Sequence, residues 1–532
     1  MRRRTFLALA GSGVAACALP RAQTLQRFDC VIRGGLVFDG TGSPGQALDL
    51  GIRGDTITAL GTIDPEQARN VIDARGLCLA PGFIDIHTHS DGEIFEYPDD
   101  ESRVFQGVTT EVTGNCGGSA APGEPWKDVA AYFRALETNR VATNQVLLLG
   151  QGTLRRAVAG LENRPLTPSE LATVVRMLEE GLEQGAVGLS SGLEYTPGRY
   201  TPTEELIELA RVLGRRGKLY ASHIRNEEAG LLESIAEALR IGREGGARVE
   251  ISHLKAAGKP NWAKQGAAIA AIEMARADGL DVWADVYPYT AYSTGLTIFL
   301  SDATREGGSD AILARLADPA QRARIRDELA PRIASDPGGY ELIVITSTGA
   351  EKKDVVGQDL AGIAQARGID GAEALLQLLE EGRTEVGFVG HAMSEENVVR
   401  VLTHPLVMVG SDGYAMAPRG KALEKKPHPR SYGTFARVLQ KYVHEEHKLD
   451  LATAIHKMSG MPAAQLRLAD RGRIAQGLKA DLVVFDAAQV KDLSSFDDPQ
   501  RLASGFQHVF VNGVRVIADG HATGERPGRA LS

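Results

Sequence analysis

The stretch Pro81-Gly82-Phe83-Ile84-Asp85-Ile86-His87-Thr88-His89 sets two imidazoles two residues apart. On a strand alternate side chains share a face, so Phe83, Asp85, His87 and His89 project one way and Ile84, Ile86 and Thr88 the other. Two imidazoles on one face at a strand end can grip one metal ion from the same side. A His-x-His pair alone is common and usually binds nothing, so the weight falls on the other donors. Cys116 follows a predicted strand in Val112-Thr113-Gly114-Asn115-Cys116-Gly117. His223, His253 and Asp412 stand in Ala221-Ser222-His223, Ile251-Ser252-His253 and Gly410-Ser411-Asp412-Gly413. Each has an ordinary use: a small buried thiol, a hydrogen-bonded core imidazole, the start of a turn. Together, four histidines, a thiol and a carboxylate close predicted strands, and they are the ligand types Zn²⁺ prefers.

The elements that must position them read as alternating strands and helices. Strands are predicted over residues 83–89, 108–113, 145–150, 186–190, 219–225, 249–255, 282–289 and 406–412. Thr167-Pro168-Ser169-Glu170 and Thr201-Pro202-Thr203-Glu204 each predict a helix start with a capping Thr and Pro at the first helical position. Alternation of this kind implies a parallel sheet, and about eight units fit a (β/α)8 barrel over residues 81–470. An insertion at about 290–345 is a candidate lid. Short strands separated by turn residues fill both ends of the chain, so residues 24–80 and 471–525 are predicted to build one discontinuous β-sandwich.

The chain has 532 residues, a net charge of −9 and dispersed Lys and Arg, which leaves no footprint for nucleic acid. Beyond the first twenty residues no apolar run reaches the length of a membrane span. Residues 1–23 read as an export signal, with Arg3-Arg4-Thr5-Phe6-Leu7 of the twin-arginine type, which predicts a periplasmic protein. Val14-Ala15-Ala16-Cys17 also resembles a lipoprotein box, which would anchor the chain through Cys17; soluble export is favoured, as is a monomer. Removing the leader leaves Cys30, Cys78 and Cys116, an odd set that argues against a disulfide framework.

The motifs above, with Ser222-His223-Ile224-Arg225, Ser252-His253-Leu254-Lys255, Tyr287-Pro288-Tyr289-Thr290 and Pro427-His428-Pro429-Arg430, resemble the amidohydrolase superfamily and within it the N-acyl-D-amino-acid deacylases. The likeness runs from about residue 26 to about 520. It implies a barrel with a discontinuous β-sandwich and Zn²⁺ held tightly by Cys116, His223 and His253. His87, His89 and Asp412 would outline a second, weaker position. Many relatives bridge two metals with a lysine on the fourth strand, but Ala186-Val187-Gly188-Leu189-Ser190-Ser191-Gly192 has none.

The implied reaction is hydrolysis of an N-acyl-D-amino acid by metal-activated water, with Asp412 as general base and then acid to the leaving amine. For the substrate carboxylate the family motif points to Arg430, whose guanidinium can make a two-pronged contact. Lys255 shares the face of His253 by alternation; Tyr287 and Ser293 correspond to family substrate contacts, and Tyr289 competes with Tyr287. His391 is expected to be structural. A D-specific dipeptidase or another amidase is the alternative within the same chemistry, and an inactive scaffold or a cyclic-imide hydrolase lies further off.

Overall fold

A computed structural model describes residues 27–532 apart from residue 352, so the predicted leader and Cys17 lie outside the described residues. Eight strands, Phe83–Asp85, Val108–Thr113, Asn144–Gly150, Gly188–Gly192, Leu219–His223, Arg248–Ile251, Val282–Val286 and Val407–Val409, pair in chain order, each parallel to the next. Every residue in them except Trp283 is buried, as a sheet covered on both faces requires. The ring closes through single contacts. A parallel bridge joins Thr88 to Gly413, and the Asp412 N–H donates to the His87 carbonyl at 2.8 Å.

Several strands stop short of their predicted ends. The first ends at Asp85, the sixth at Ile251 and the seventh at Val286, so His87, His89, His253, Lys255, Tyr287 and Tyr289 all lie in loops. Strand alternation therefore does not decide where they point. Thr167 caps the helix Pro168–Glu183 with a full capping box, as its sequence predicts. Thr201 does not: it is buried and accepts a hydrogen bond from Gln151 at 2.9 Å, leaving Thr203–Arg216 without a side-chain cap.

Between the seventh and eighth strands, Tyr292–Gly295, Ile343–Thr348 and Val386–Gly390 form an antiparallel sheet with Val386–Gly390 in the centre. The excursion thus runs to Gly390 instead of ending near 345, because the strand at 343–348 needs that partner. It has its own core of Leu296, Phe299, Leu329, Ile345, Leu375 and Phe388.

The two chain ends meet in one nine-stranded sheet, joined where Leu482–Phe485 pairs antiparallel with Cys78–Pro81. Ile32, Leu50, Ile52, Ile57, Leu482 and Phe510 from both termini share one core on this sheet. It meets the barrel base through a buried polar cluster. Asp481 pairs with Arg471 and accepts from the Asn144 side chain at 3.2 Å and the Asn512 N–H at 2.6 Å. The three described cysteines are unbridged, and no described helix is long and apolar enough to cross a membrane.

Candidate active site

Six donors converge where the strands end. The Cys116 Sγ lies 3.4 Å from His87 Nε2 and 3.5 Å from His253 Nε2, and His223 Nδ1 lies 2.8 Å from His253 Nε2. Asp412 Oδ1 stands 2.9 Å from His89 Nε2 and 3.6 Å from His87 Nε2. The donor atoms of His87, His89, Cys116 and Asp412 fall within 4.8 Å of one another, and so do those of Cys116, His223 and His253. Cys116 is common to both sets.

The backbone bends sharply to bring them in. Cys116, His253 and Asp412 adopt φ of 51°, 36° and 53°, a left-handed region costly for residues with a Cβ and concentrated at functional sites. Gly114, at φ 78°, lets the Cys116 loop lie against the third strand, where a Cβ would come 1.9 Å from the Leu148 carbonyl oxygen.

Each of three imidazoles turns one nitrogen inward and the other onto a buried carboxylate. His87 Nδ1 faces Asp285 at 3.3 Å, His223 Nε2 faces Glu194 at 3.1 Å and His253 Nδ1 faces Glu227 at 3.0 Å. A carboxylate on the outer nitrogen keeps a proton there, so that a metal would displace only the inner one. Burial works against the Cys116 thiolate. His87 and His253, with hydrogen bonds from His223 and His253, outweigh it and hold the thiol well below its usual pKa, in its ligand form. A soft thiolate with three imidazoles is a donor set suited to zinc.

Asp412 is governed by opposing effects. Burial pushes its pKa up, but Arg430, His89, His253 and His87 hold it well below the carboxylate range. Arg430 Nη1 lies 2.6 Å from Asp412 Oδ2, a buried ion pair. Its guanidinium stacks 4.8 Å over the Tyr287 ring, and the Tyr287 hydroxyl is likewise buried without a partner. Lys255 Nζ is held by both oxygens of Glu227, at 2.6 and 2.7 Å, which places it beside His253.

These groups line a cleft of about 970 Å³. Cys116, His89, His223, His253, Asp412, Lys255, Tyr287, Ser293 and Arg430 all face it, with His87 buried behind. Tyr289 is the exception among the predicted site residues. Its hydroxyl donates to Asp492 at 3.2 Å and its ring lies against His428 and Phe496, because the strand stops before Pro288 and the next residue turns away. His391 packs on Phe496.

Glu194, Glu227 and Asp285 were not singled out by motif. Their signal is position: each lies at or just beyond the C-terminal end of a barrel strand, the place that marks the histidines. Beneath them Arg103, fully buried, donates to Glu111 at 3.1 Å and to the Ser431 carbonyl at 2.7 Å, and lies 3.5 Å from Asp85. Asp85 in turn accepts the Ser411 N–H at 2.8 Å, which fixes the loop carrying Asp412.

An amidohydrolase family profile matches residues 70–325 and 389–517, leaving out most of the excursion. The chain is 37% identical to an N-acyl-D-glutamate deacylase of Alcaligenes xylosoxydans xylosoxydans, over 95% of this chain and 97% of that one. It is 38% identical to an N-acyl-D-aspartate deacylase of the same organism, over 95% of each chain. The crystal structure of N-acyl-D-glutamate deacylase from Bordetella bronchiseptica, complexed with zinc and a phosphonate mimic of the tetrahedral intermediate, superposes with a TM-score of 0.81. It shares 36% identity over 95% of this chain and 99% of that one.

Proposed function

Because the chain belongs to the amidohydrolase family, we propose that it is a zinc-dependent deacylase, cleaving N-acyl-D-amino acids to a D-amino acid and a carboxylic acid. The observation that carries this is the set of three imidazoles, each backed by its own carboxylate, arranged around the Cys116 thiol. Cys116, His223 and His253 would hold the tight zinc, with His87, His89 and Asp412 offering a second, weaker position. Zinc, when bound, supplies Lewis acidity that activates water and polarises the amide carbonyl.

The remaining work falls to side chains. Asp412 Oδ1, on the histidine side, is the atom placed to take a proton from the attacking water and return it to the leaving nitrogen. Arg430 holds Asp412 Oδ2, and Tyr287 has a buried hydroxyl unmet. Both fit the substrate α-carboxylate, with Ser293 and Lys255 beside them in the cleft. A substrate carboxylate on Arg430 would draw that guanidinium off Asp412 and restore its basicity as the substrate seats.

Release of free amino acid from matched N-acetyl-D- and N-acetyl-L-amino acids, with zinc measured per chain, tests the reading. Cleavage of D-substrates that stops on metal removal is expected. Activity confined to L-substrates, or undiminished without metal, overturns it. The basic, apolar residues 1–23 support export to the periplasm as a soluble protein. Fractionation with labelling by a radiolabelled fatty acid would separate that from lipidation at Cys17.

A further inference from the structure

The wall of the cleft built partly by the excursion carries carboxylates that the deacylation chemistry leaves unused. Asp336, only 8% exposed, accepts from the Tyr292 hydroxyl at 2.8 Å through Oδ2, while its Oδ1 is buried with no hydrogen-bond partner. Glu228 is met by the side-chain amide of Asn226. Glu194, already engaged in backing His223, stands beside them, and all three line the same cleft. Burial, with Glu194 and Glu227 adding to it, lifts Asp336 to about 7 against the Tyr292 hydrogen bond and the Lys255 charge. Burial, then Glu194, Asp336 and Glu227, lift Glu228 well above its ordinary value.

Glu228 and Asp336 differ in their pairing from the carboxylates at the reaction centre. Among the described residues no Lys or Arg forms an ion pair with Glu228 or Asp336. Lys255 is engaged by Glu227, Lys264 by the Glu228 and Ala229 carbonyls, Arg305 by the Glu194 carbonyl and Asp302, and Arg332 by the Phe299 carbonyl. A buried carboxylate without hydrogen-bond donors is costly, and in a substrate cleft the missing donors can arrive with the ligand.

We propose that this wall is a subsite for a positively charged group of the substrate, an alkylammonium or guanidinium. The proposal rests on the deacylase reading and narrows it. Arg430 and Tyr287 would take the α-carboxylate, and the wall carboxyls, ionising against it, would select a cation at the other end of the molecule. That end is either the side chain of the D-amino acid or an amino group on the acyl part. An acidic side chain, which the names of the D-glutamate and D-aspartate deacylases imply for those relatives, would find no cation on this wall to pair with.

Two matched pairs separate the sources. Nα-acetyl-D-lysine against N-acetyl-D-norleucine varies the side chain. Glycyl-D-norleucine against N-propionyl-D-norleucine replaces a methyl by an ammonium on the acyl side. In at least one pair the charged member is expected to have a kcat/KM higher by roughly tenfold or more, since hydrogen bonds to charged groups are among the stronger ones. Asp336→Asn and Glu228→Gln should each pull that ratio toward one. An excess in the first pair assigns the cation to the side chain, and an excess in the second assigns it to the acyl group. Ratios at or below one in both pairs overturn the subsite while leaving the deacylase reading intact. If none of the four compounds is cleaved, that reading fails. Calorimetric binding of Nα-acetyl-D-lysine against N-acetyl-D-norleucine then decides the subsite alone: it stands if the cation binds tighter and falls if the two bind equally.

Discussion

Two buried polar clusters sit at opposite ends of the barrel, and they differ in what they leave unmet. At the base, Asp481 is tied to Arg471, Asn144 and the Asn512 backbone, and the Asn512 side chain donates to Asn144 at 2.7 Å and to the Pro527 carbonyl at 2.9 Å. Those groups answer one another and weld the terminal sheet to the strand starts. At the mouth, the Tyr287 hydroxyl and Asp336 Oδ1 lack partners, and three site residues sit at positive φ. One cluster completes a fold. The other keeps strain and open valences that a metal and a substrate can meet.

If that division holds, substitutions at the two ends should fail in different ways. At the mouth, Asp412→Asn is expected to lower kcat by roughly 10²–10⁴ while the tight zinc stays, because it removes the proton carrier and none of the Cys116, His223 and His253 donors. Cys116→Ala should abolish activity by losing that zinc, measured as metal per chain. An Asp412→Asn enzyme with wild-type turnover would remove Asp412 from the proton path. At the base, Asp481→Ala leaves Arg471 buried without its partner and should cost about 3–5 kcal/mol in unfolding free energy. The protein that remains folded should keep its kcat, so a variant that loses turnover but not stability would erase the contrast. Smaller again, Asp285→Asn puts an amide beside His87 Nδ1 and removes the anion that fixes its tautomer. Occupancy of the weaker position, titrated by calorimetry, should need roughly 10–100 times more metal.

How much of this was legible in the sequence depended on whether the signal was local. The eight-strand barrel and the sheet built from both ends follow from runs of apolar residues between Gly, Pro and capping signals. The donors His87, His89, Cys116, His223, His253 and Asp412 could be named because each follows an apolar strand. Their orientation was not legible. Alternation assumes extended backbone, and the strands end before His87, His253 and Tyr287, where the chain turns left-handed. Tyr289 turned away for this reason, while Lys255 reached the site through Glu227 and not through a shared strand face. Thr201 shows the same limit, since its capping motif was overridden by the tertiary hydrogen bond from Gln151. The carboxylates behind the histidines, Glu194, Glu227 and Asp285, lie far from them along the chain, and pairing at that separation is set by the barrel alone.

The smallest expected effect separates the two ends by pH. Asp336 is lifted to about 7, chiefly by burial, from an ordinary value of 3.8. A group whose pKa is raised on folding adds stability that is complete below its unfolded pKa and is lost as pH rises through the folded one. From about pH 4 to 7 the folded protein therefore holds a proton that the unfolded chain has released, and stability falls with rising pH. Between pH 6 and 8 this one group should lower the unfolding free energy by roughly 1.4 kcal/mol. Asp336→Asn keeps the shape without the charge. Its unfolding free energy, compared with that of the wild type, should therefore improve by about that amount on going from pH 6 to pH 8. Parallel profiles for the two proteins would mean that Asp336 ionises as an ordinary surface carboxylate. The wall of the cleft would then carry no more unmet charge than the base.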